Sequence, residues 1–149
     1  MKALVYLIVV ALLTAPSARA MSILDFGHMN NDDEATYVAM LVGGAADHLR
    51  AHGHPDQADK AIALFKDRGP NSGTNQFALF MMQYNTINTR NAENPNNRKP
   101  ELQVEDALEH TFRTNGIDIS VADLRAIGQS FQPVGPPRGA IATPYPWQH

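Results

Sequence analysis

The chain has 149 residues, contains no cysteine and carries a formal net charge of −3 at pH 7 with neutral histidines. The lack of cysteine excludes disulfide bonds, a lipoprotein anchor and a cysteine nucleophile. The slightly acidic balance argues against nucleic acid or an anionic membrane as the main partner, because both are bound through clustered lysine and arginine side chains.

The first 20 residues have the three parts of a cleavable signal peptide. Lys2 gives a positive start, residues 3–15 form an uncharged apolar run, and Ala18-Arg19-Ala20 has the small-x-small pattern of a cleavage site. The apolar run is shorter than the roughly 20 residues that a membrane-spanning helix needs. We therefore expect cleavage before Met21, no membrane anchor afterwards, and export to the periplasm or the cell exterior. The lack of an Asn-x-Ser/Thr sequon favours a bacterial source.

Residues 21–131 predict a single all-α domain, a small bundle of four to five short helices built around a helical hairpin. We expect the first helix to begin at Asn31, with Glu34 as its capping-box partner, and to end at Gly53. The pair Gly43-Gly44 in the middle of this helix predicts either the close approach of another helix or a local bend.

The remaining helices are predicted from their start and stop signals. Pro55 opens the second helix, and its short connection to the first predicts an antiparallel hairpin. A polar turn over residues 71–75 precedes the third helix, and a polar loop over residues 94–100 follows it. Gly116 stops the fourth helix, and Ser120 is the expected cap of the last one.

The C-terminal segment, residues 132–149, has the composition of an extended tail. It contains five prolines and two glycines, which disfavour both helix and strand, so we expect it to be poorly ordered. Tyr145 and Trp147 are unusual side chains for a spacer. We therefore assign both aromatic residues as candidate binding residues.

Three histidines near the end of the first helix are the candidate metal ligands. His48 and His52 are four residues apart and share one helix face, and His54 follows in the next turn. Imidazole nitrogens at this spacing could bind zinc or copper, with Asp47 as a further ligand. In the alternative interpretation, His48 borders the apolar stripe and His52 complements the negative end of the helix dipole.

Asparagines form a row along the third helix. Asn85, Asn88 and Asn91 recur at every third position, and Asn96 follows in the polar loop. Their amides can donate and accept hydrogen bonds, so the row is a candidate site for a peptide, a sugar or a partner surface. The alternative is simple exposed polarity near a helix end.

No catalytic or cofactor motif is present in the sequence: the chain lacks a G-x-S-x-G elbow, a P-loop and a dinucleotide-binding glycine pattern. We interpret the acidic side chains of the fourth helix as a solvated face rather than a catalytic pair; they are Glu101, Glu105, Asp106 and Glu109. The favoured function is therefore a non-enzymatic exported protein that binds a protein or a small polar ligand without a cofactor. The alternative is a metal-binding protein that uses the histidine cluster.

Overall fold

The computed structural model describes residues 20–94, 96 and 99–131, and this part of the chain is all-α. Six helices follow one another: α1 (Ile23–Gly27), α2 (Asn31–Ala51), α3 (Pro55–Lys66), α4 (Gly73–Glu93), α5 (Val104–Thr114) and α6 (Val121–Phe131). The predicted all-α class is confirmed for these residues. None of these six helices is long and apolar enough to cross a membrane. The predicted leader, apart from Ala20, and the predicted tail lie outside the described residues.

Several helix ends agree with the signals in the sequence. Gly53 and Gly116 have φ angles of +82° and +69°, a left-handed conformation that a Cβ atom disfavours, so both residues end helices as predicted. The backbone N–H of Asp123 donates to the Ser120 Oγ at 3.1 Å. Ser120 is therefore the cap of α6, as predicted.

Two other helix starts agree with the predictions only in part. Helix α2 begins at Asn31 as predicted, but its cap is Asn30 rather than the Asn31 that a capping box with Glu34 requires, because the Asn30 Oδ1 accepts from the Asp33 backbone N–H at 2.9 Å. Ser72 caps α4 through the backbone N–H of Asn75 at 3.3 Å, so α4 begins at Gly73, within the segment predicted as a turn. The short helix α1 was not expected. Its cap is Ser22, whose Oγ accepts a hydrogen bond from the Asp25 backbone N–H.

Helices α2 and α3 form the predicted antiparallel hairpin. Close to the turn, the Arg50 Nη2 donates to the Asp59 Oδ1 at 2.9 Å. Farther from the turn, Val42 of α2 and Ile62 of α3 line the same groove. Residues that are progressively farther from the turn along α2 therefore face residues that are progressively farther from it along α3, as the antiparallel arrangement requires.

Helix α6 packs across α2 at the glycine pair. A Cβ atom at Gly44 would overlap the Ile127 Cγ2, whereas a Cβ atom at Gly43 would have no atom within 4 Å. The close approach predicted from the glycine pair is therefore present at Gly44 alone.

The centre of the core lies where α2, α5 and α6 meet. Its largest fully buried side chains come from these helices and from the loop before α6: Leu41, Leu49, Leu108, Phe112, Ile117 and Leu124. His110 of α5 contacts two residues of α4. The His110 ring stacks on the Phe80 ring with centroids 3.9 Å apart, and the His110 Nδ1 lies 2.8 Å from the Tyr84 Oη.

Candidate functional site

An open groove of about 850 Å³ runs along one side of the helical body. It is bounded by α1, the first half of α2, the end of α3 and the first half of α4, and most of its surface is apolar. We call it the apolar groove. Its main apolar lining residues are Phe26, Val38, Val42, Ile62, Phe65, Phe77 and Met81.

Helix α1 forms part of the groove because Phe26 anchors it between α2 and α4. The Phe26 ring lies 6.2 Å from the Tyr37 ring and 6.1 Å from the Phe77 ring, in the tilted and edge-on arrangements that aromatic pairs prefer. With Phe26 turned inward, its neighbour Leu24 is 61 % exposed. Met82 of α4, another lining residue, is 68 % exposed. The groove therefore presents two large apolar side chains to solvent.

A few polar side chains also line the apolar groove. They are His28, Asn31, Glu34, Lys66, Thr74 and Asn85, and they include one acidic and one basic residue. A mostly apolar cleft with a small number of polar groups is the usual composition of a ligand site, in which the polar groups set the orientation of the ligand.

The predicted asparagines lie beside this groove. Asn85, Asn88 and Asn91 line a second, smaller cavity of about 480 Å³. Asn96 does not line it, and its backbone N–H donates to the Asn94 Oδ1 at 3.2 Å. Ile23, Leu24 and Asn85 line both cavities, so the two adjoin.

Asn88 has a structural role in addition to its position in the smaller cavity. Its Nδ2 donates to the Leu102 carbonyl at 2.8 Å, and its Oδ1 accepts from the Leu102 N–H at 2.9 Å. This pair of bonds holds the segment before α5 against α4. Asn85 is exposed, whereas Asn88 and Asn91 are half-buried, so Asn85 is the most accessible of these three asparagines for a ligand. Tyr145 and Trp147, the other predicted binding residues, lie outside the described residues.

Two of the three predicted metal ligands lie side by side. The rings of His48 and His52 are stacked with centroids 4.1 Å apart, and the His52 Nδ1 lies 2.8 Å from the His48 carbonyl oxygen. The His48 Nε2 is 3.8 Å from the Asp123 Oδ2. The hydrogen bond from Ser120 and the nearby His48 lower the pKa of Asp123. His54 precedes Pro55 as the cap residue of α3.

The described residues contain no group of three or more His, Cys, Asp or Glu side chains that could hold a metal ion. Metal binding by His48, His52 and His54 therefore stays a prediction.

Glu105 is an acidic residue whose environment was predicted wrongly from the sequence. It was expected on a solvated face, but it is 1 % exposed and accepts a hydrogen bond from the Tyr37 hydroxyl at 3.0 Å. Glu105, Leu108 and Phe112 are spaced by three and four residues and share the buried face of α5. This spacing was the available signal, and the acidic residue type obscured it.

Comparison with protein-family models, with curated proteins and with solved structures gives no match to this chain.

Proposed function

We propose that this chain is an exported, non-enzymatic binding protein that holds a segment of a partner protein in the apolar groove. The observation that carries the proposal is the groove itself, about 850 Å³ in volume, with Leu24 and Met82 exposed among its lining residues. An apolar surface of this kind with polar groups at its edge is typical of protein–protein or ligand-binding sites.

The adjoining cavities favour an elongated ligand. One cavity is mostly apolar, the other contains Asn85 and Asn91, and Leu24 lies at their junction. A peptide segment could place apolar side chains in the first cavity and hydrogen-bond the asparagine amides in the second. Methionine supports such binding because its flexible thioether adapts to different apolar partners. The proposed partner segment is therefore apolar along one part and polar along the next.

The histidine alternative has less support than the groove. His48 and His52 are adjacent, but a stable zinc site in a protein usually has at least three protein ligands. Asp123 and the stacking of the two rings account for the arrangement without a metal ion.

The proposal can be tested with a displayed library of random peptides that is selected on the purified protein. We expect enriched peptides in which a run of apolar residues adjoins a run of polar ones. Met82→Glu should weaken their binding about tenfold or more, because full burial of a methionine side chain contributes roughly 1.5–3 kcal/mol. Binding is measured by fluorescence polarisation with one enriched peptide.

Leu79→Glu provides the matched control on the same helix. Leu79 is 58 % exposed, similar to Met82, but it does not line the apolar groove. We expect this variant to bind the peptide as the wild type does, and both variants to melt within about 2 °C of it, because exposed sites contribute little to stability. The absence of any enriched peptide, or equal binding by the Met82→Glu variant, would contradict the proposal.

A further inference from the structure

Glu105 has an incomplete set of partners for a buried carboxyl group. Its Oε1 accepts hydrogen bonds from the Tyr37 hydroxyl at 3.0 Å and from the Met21 backbone N–H at 3.3 Å. Its Oε2 is buried and has no hydrogen-bond partner within the described residues. Among the ion pairs of the same residues, none includes Glu105. A buried carboxylate is strongly disfavoured without a cation or a full set of donors.

The Met21 nitrogen is held against this carboxyl group by the backbone contacts of Met21 and of the residue that follows it. The Met21 carbonyl accepts from the Val104 N–H at 3.0 Å. The next residue, Ser22, forms an isolated antiparallel bridge with Gln103. These contacts join the segment before α1 to the first turn of α5. The Met21 nitrogen therefore lies beside Glu105 through the packing of the chain.

We propose that cleavage of the Ala20–Met21 bond turns the Met21 nitrogen into an α-ammonium group that forms a buried ion pair with Glu105. This inference rests on the export proposed above. The step is hydrolysis: water adds its hydroxyl to the Ala20 carbonyl carbon and a proton to the Met21 nitrogen as the amide bond breaks. At neutral pH the new carboxyl group releases its proton to solvent, and the new amine takes one up.

The ion pair satisfies Glu105 in a way that the uncleaved amide does not. The amide has one N–H, which the Oε1 already accepts, whereas an ammonium group has three. The additional protons provide donors for the Oε2, and the positive charge offsets the buried negative one. Removal of the leader therefore completes the interior of the mature protein, and the precursor is the less stable form.

The test compares three chains: one that begins at Met21 with a free amine, one with an acetylated Met21, and one that begins at Ala20. The chains that begin at Met21 and at Ala20 are released from a fusion protein by a protease that leaves the desired first residue, and the acetylated chain is made from the first of them by an N-terminal acetyltransferase. We expect acetylation or the one-residue extension to lower the melting temperature by at least about 5 °C at pH 7. In a Glu105→Gln background, the three chains should melt within about 2 °C of one another.

Glu109→Gln is the matched control, because Glu109 lies one turn farther along α5 and pairs with Arg113 instead. It makes the same chemical change without contacting Met21. The difference between the free and the acetylated chain should persist in this variant. If Glu105→Gln does not fold, the comparison of the free and acetylated wild-type chains still tests the pair.

The pH dependence of the stability difference between the free and the acetylated chain is a second test of the ion pair. An α-amino group ordinarily has a pKa of about 7.7–8.0, and pairing with Glu105 should raise it. The stabilisation is then fully present below about pH 8 and is lost as the pH rises through the raised pKa. Tyr37 of α2 also faces Glu105, and α6 contributes Gly128, which has no side chain. Tyr37 stays protonated in this pH range because burial and Glu105 raise its pKa.

The amine pKa is measured by NMR on the chain with a ¹⁵N-labelled Met21. An ordinary value that does not change in Glu105→Gln, together with equal melting of the free and acetylated chains, would overturn the ion pair. If the measured mass of the exported protein shows that its first residue is not Met21, the proposed cleavage is refuted instead. The two failures are therefore distinguishable.

Discussion

The two long sides of helix α2 differ in how completely other helices cover them. On the side that meets α5 and α6, Leu41 is fully buried and Tyr37 is 7 % exposed. On the side that borders the apolar groove, Ala35 and Ala39 are exposed and Val38 is half-buried. We call these the covered side and the groove side. One helix thus supplies both the packed interior and the open surface, and the difference indicates which residues are constrained by stability and which are free to bind.

The largest effect should separate the two sides directly. Leu41→Ala should lower the free energy of unfolding by about 3 kcal/mol, because it leaves a cavity in a fully packed site. Val38→Ala should cost about 1 kcal/mol or less, because its side chain is already partly in contact with water. Both values follow from urea denaturation. Equal losses would mean that the groove side is as well packed in solution as the covered side.

The glycine pair offers a finer version of the same comparison. Gly44→Ala should destabilise the protein by about 1–2 kcal/mol, because its Cβ atom would overlap the Ile127 Cγ2 on α6. Gly43→Ala should stabilise it by about 0.5–1 kcal/mol, because there is space for the Cβ atom and alanine favours the helix. Thermal melting of the two single variants measures both effects. Shifts of the melting temperature in the same direction would argue against the α2–α6 contact.

The sequence predicted the helices well because their ends depend on local chemistry. Gly53 and Gly116 stop helices through a left-handed backbone conformation, and Ser120 caps α6 through a bond to a residue three positions away. The error in the cap of α2 arises where local chemistry leaves two residues equally suitable. Asn30 and Asn31 are equally good caps by residue type, and the choice between them depends on where the preceding segment is held. That segment is fixed by the contact of Phe26 with α4, which no local pattern encodes.

The site was predicted less well than the helices because it depends on how distant segments pack. The apolar groove combines residues of four helices, and no single stripe reveals that one side of it is left uncovered. The burial of Glu105 depends on Met21 and Tyr37, which are 84 and 68 positions away in the chain. The asparagine row was a visible signal, yet the bonds of Asn88 to Leu102 give that residue a structural role that residue type alone does not indicate.

The smallest effect should come from Tyr37, which connects the covered side of α2 to Glu105. Tyr37→Phe removes the hydroxyl donor to a buried carboxyl group and should cost about 1 kcal/mol at pH 7. Burial, the charge of Glu105 and the hydrogen bond to it raise the pKa of Tyr37. Since the folded-state pKa exceeds the unfolded value near 10, this contribution is fully present below about pH 10 and is lost as the pH rises further.

The test of the Tyr37 contact is urea denaturation of the chain beginning at Met21 between pH 7 and pH 11. Above pH 10 the stability of the wild type should fall more steeply with pH than that of Tyr37→Phe, by about 1 kcal/mol in total, because the folded wild type keeps the Tyr37 proton that the unfolded chain releases. Tyr84→Phe is the control, because burial also raises the pKa of Tyr84 but its hydroxyl contacts His110 rather than Glu105. Parallel alkaline slopes for the wild type and Tyr37→Phe would mean that water reaches Glu105, and the covered side would then be no drier than the groove side.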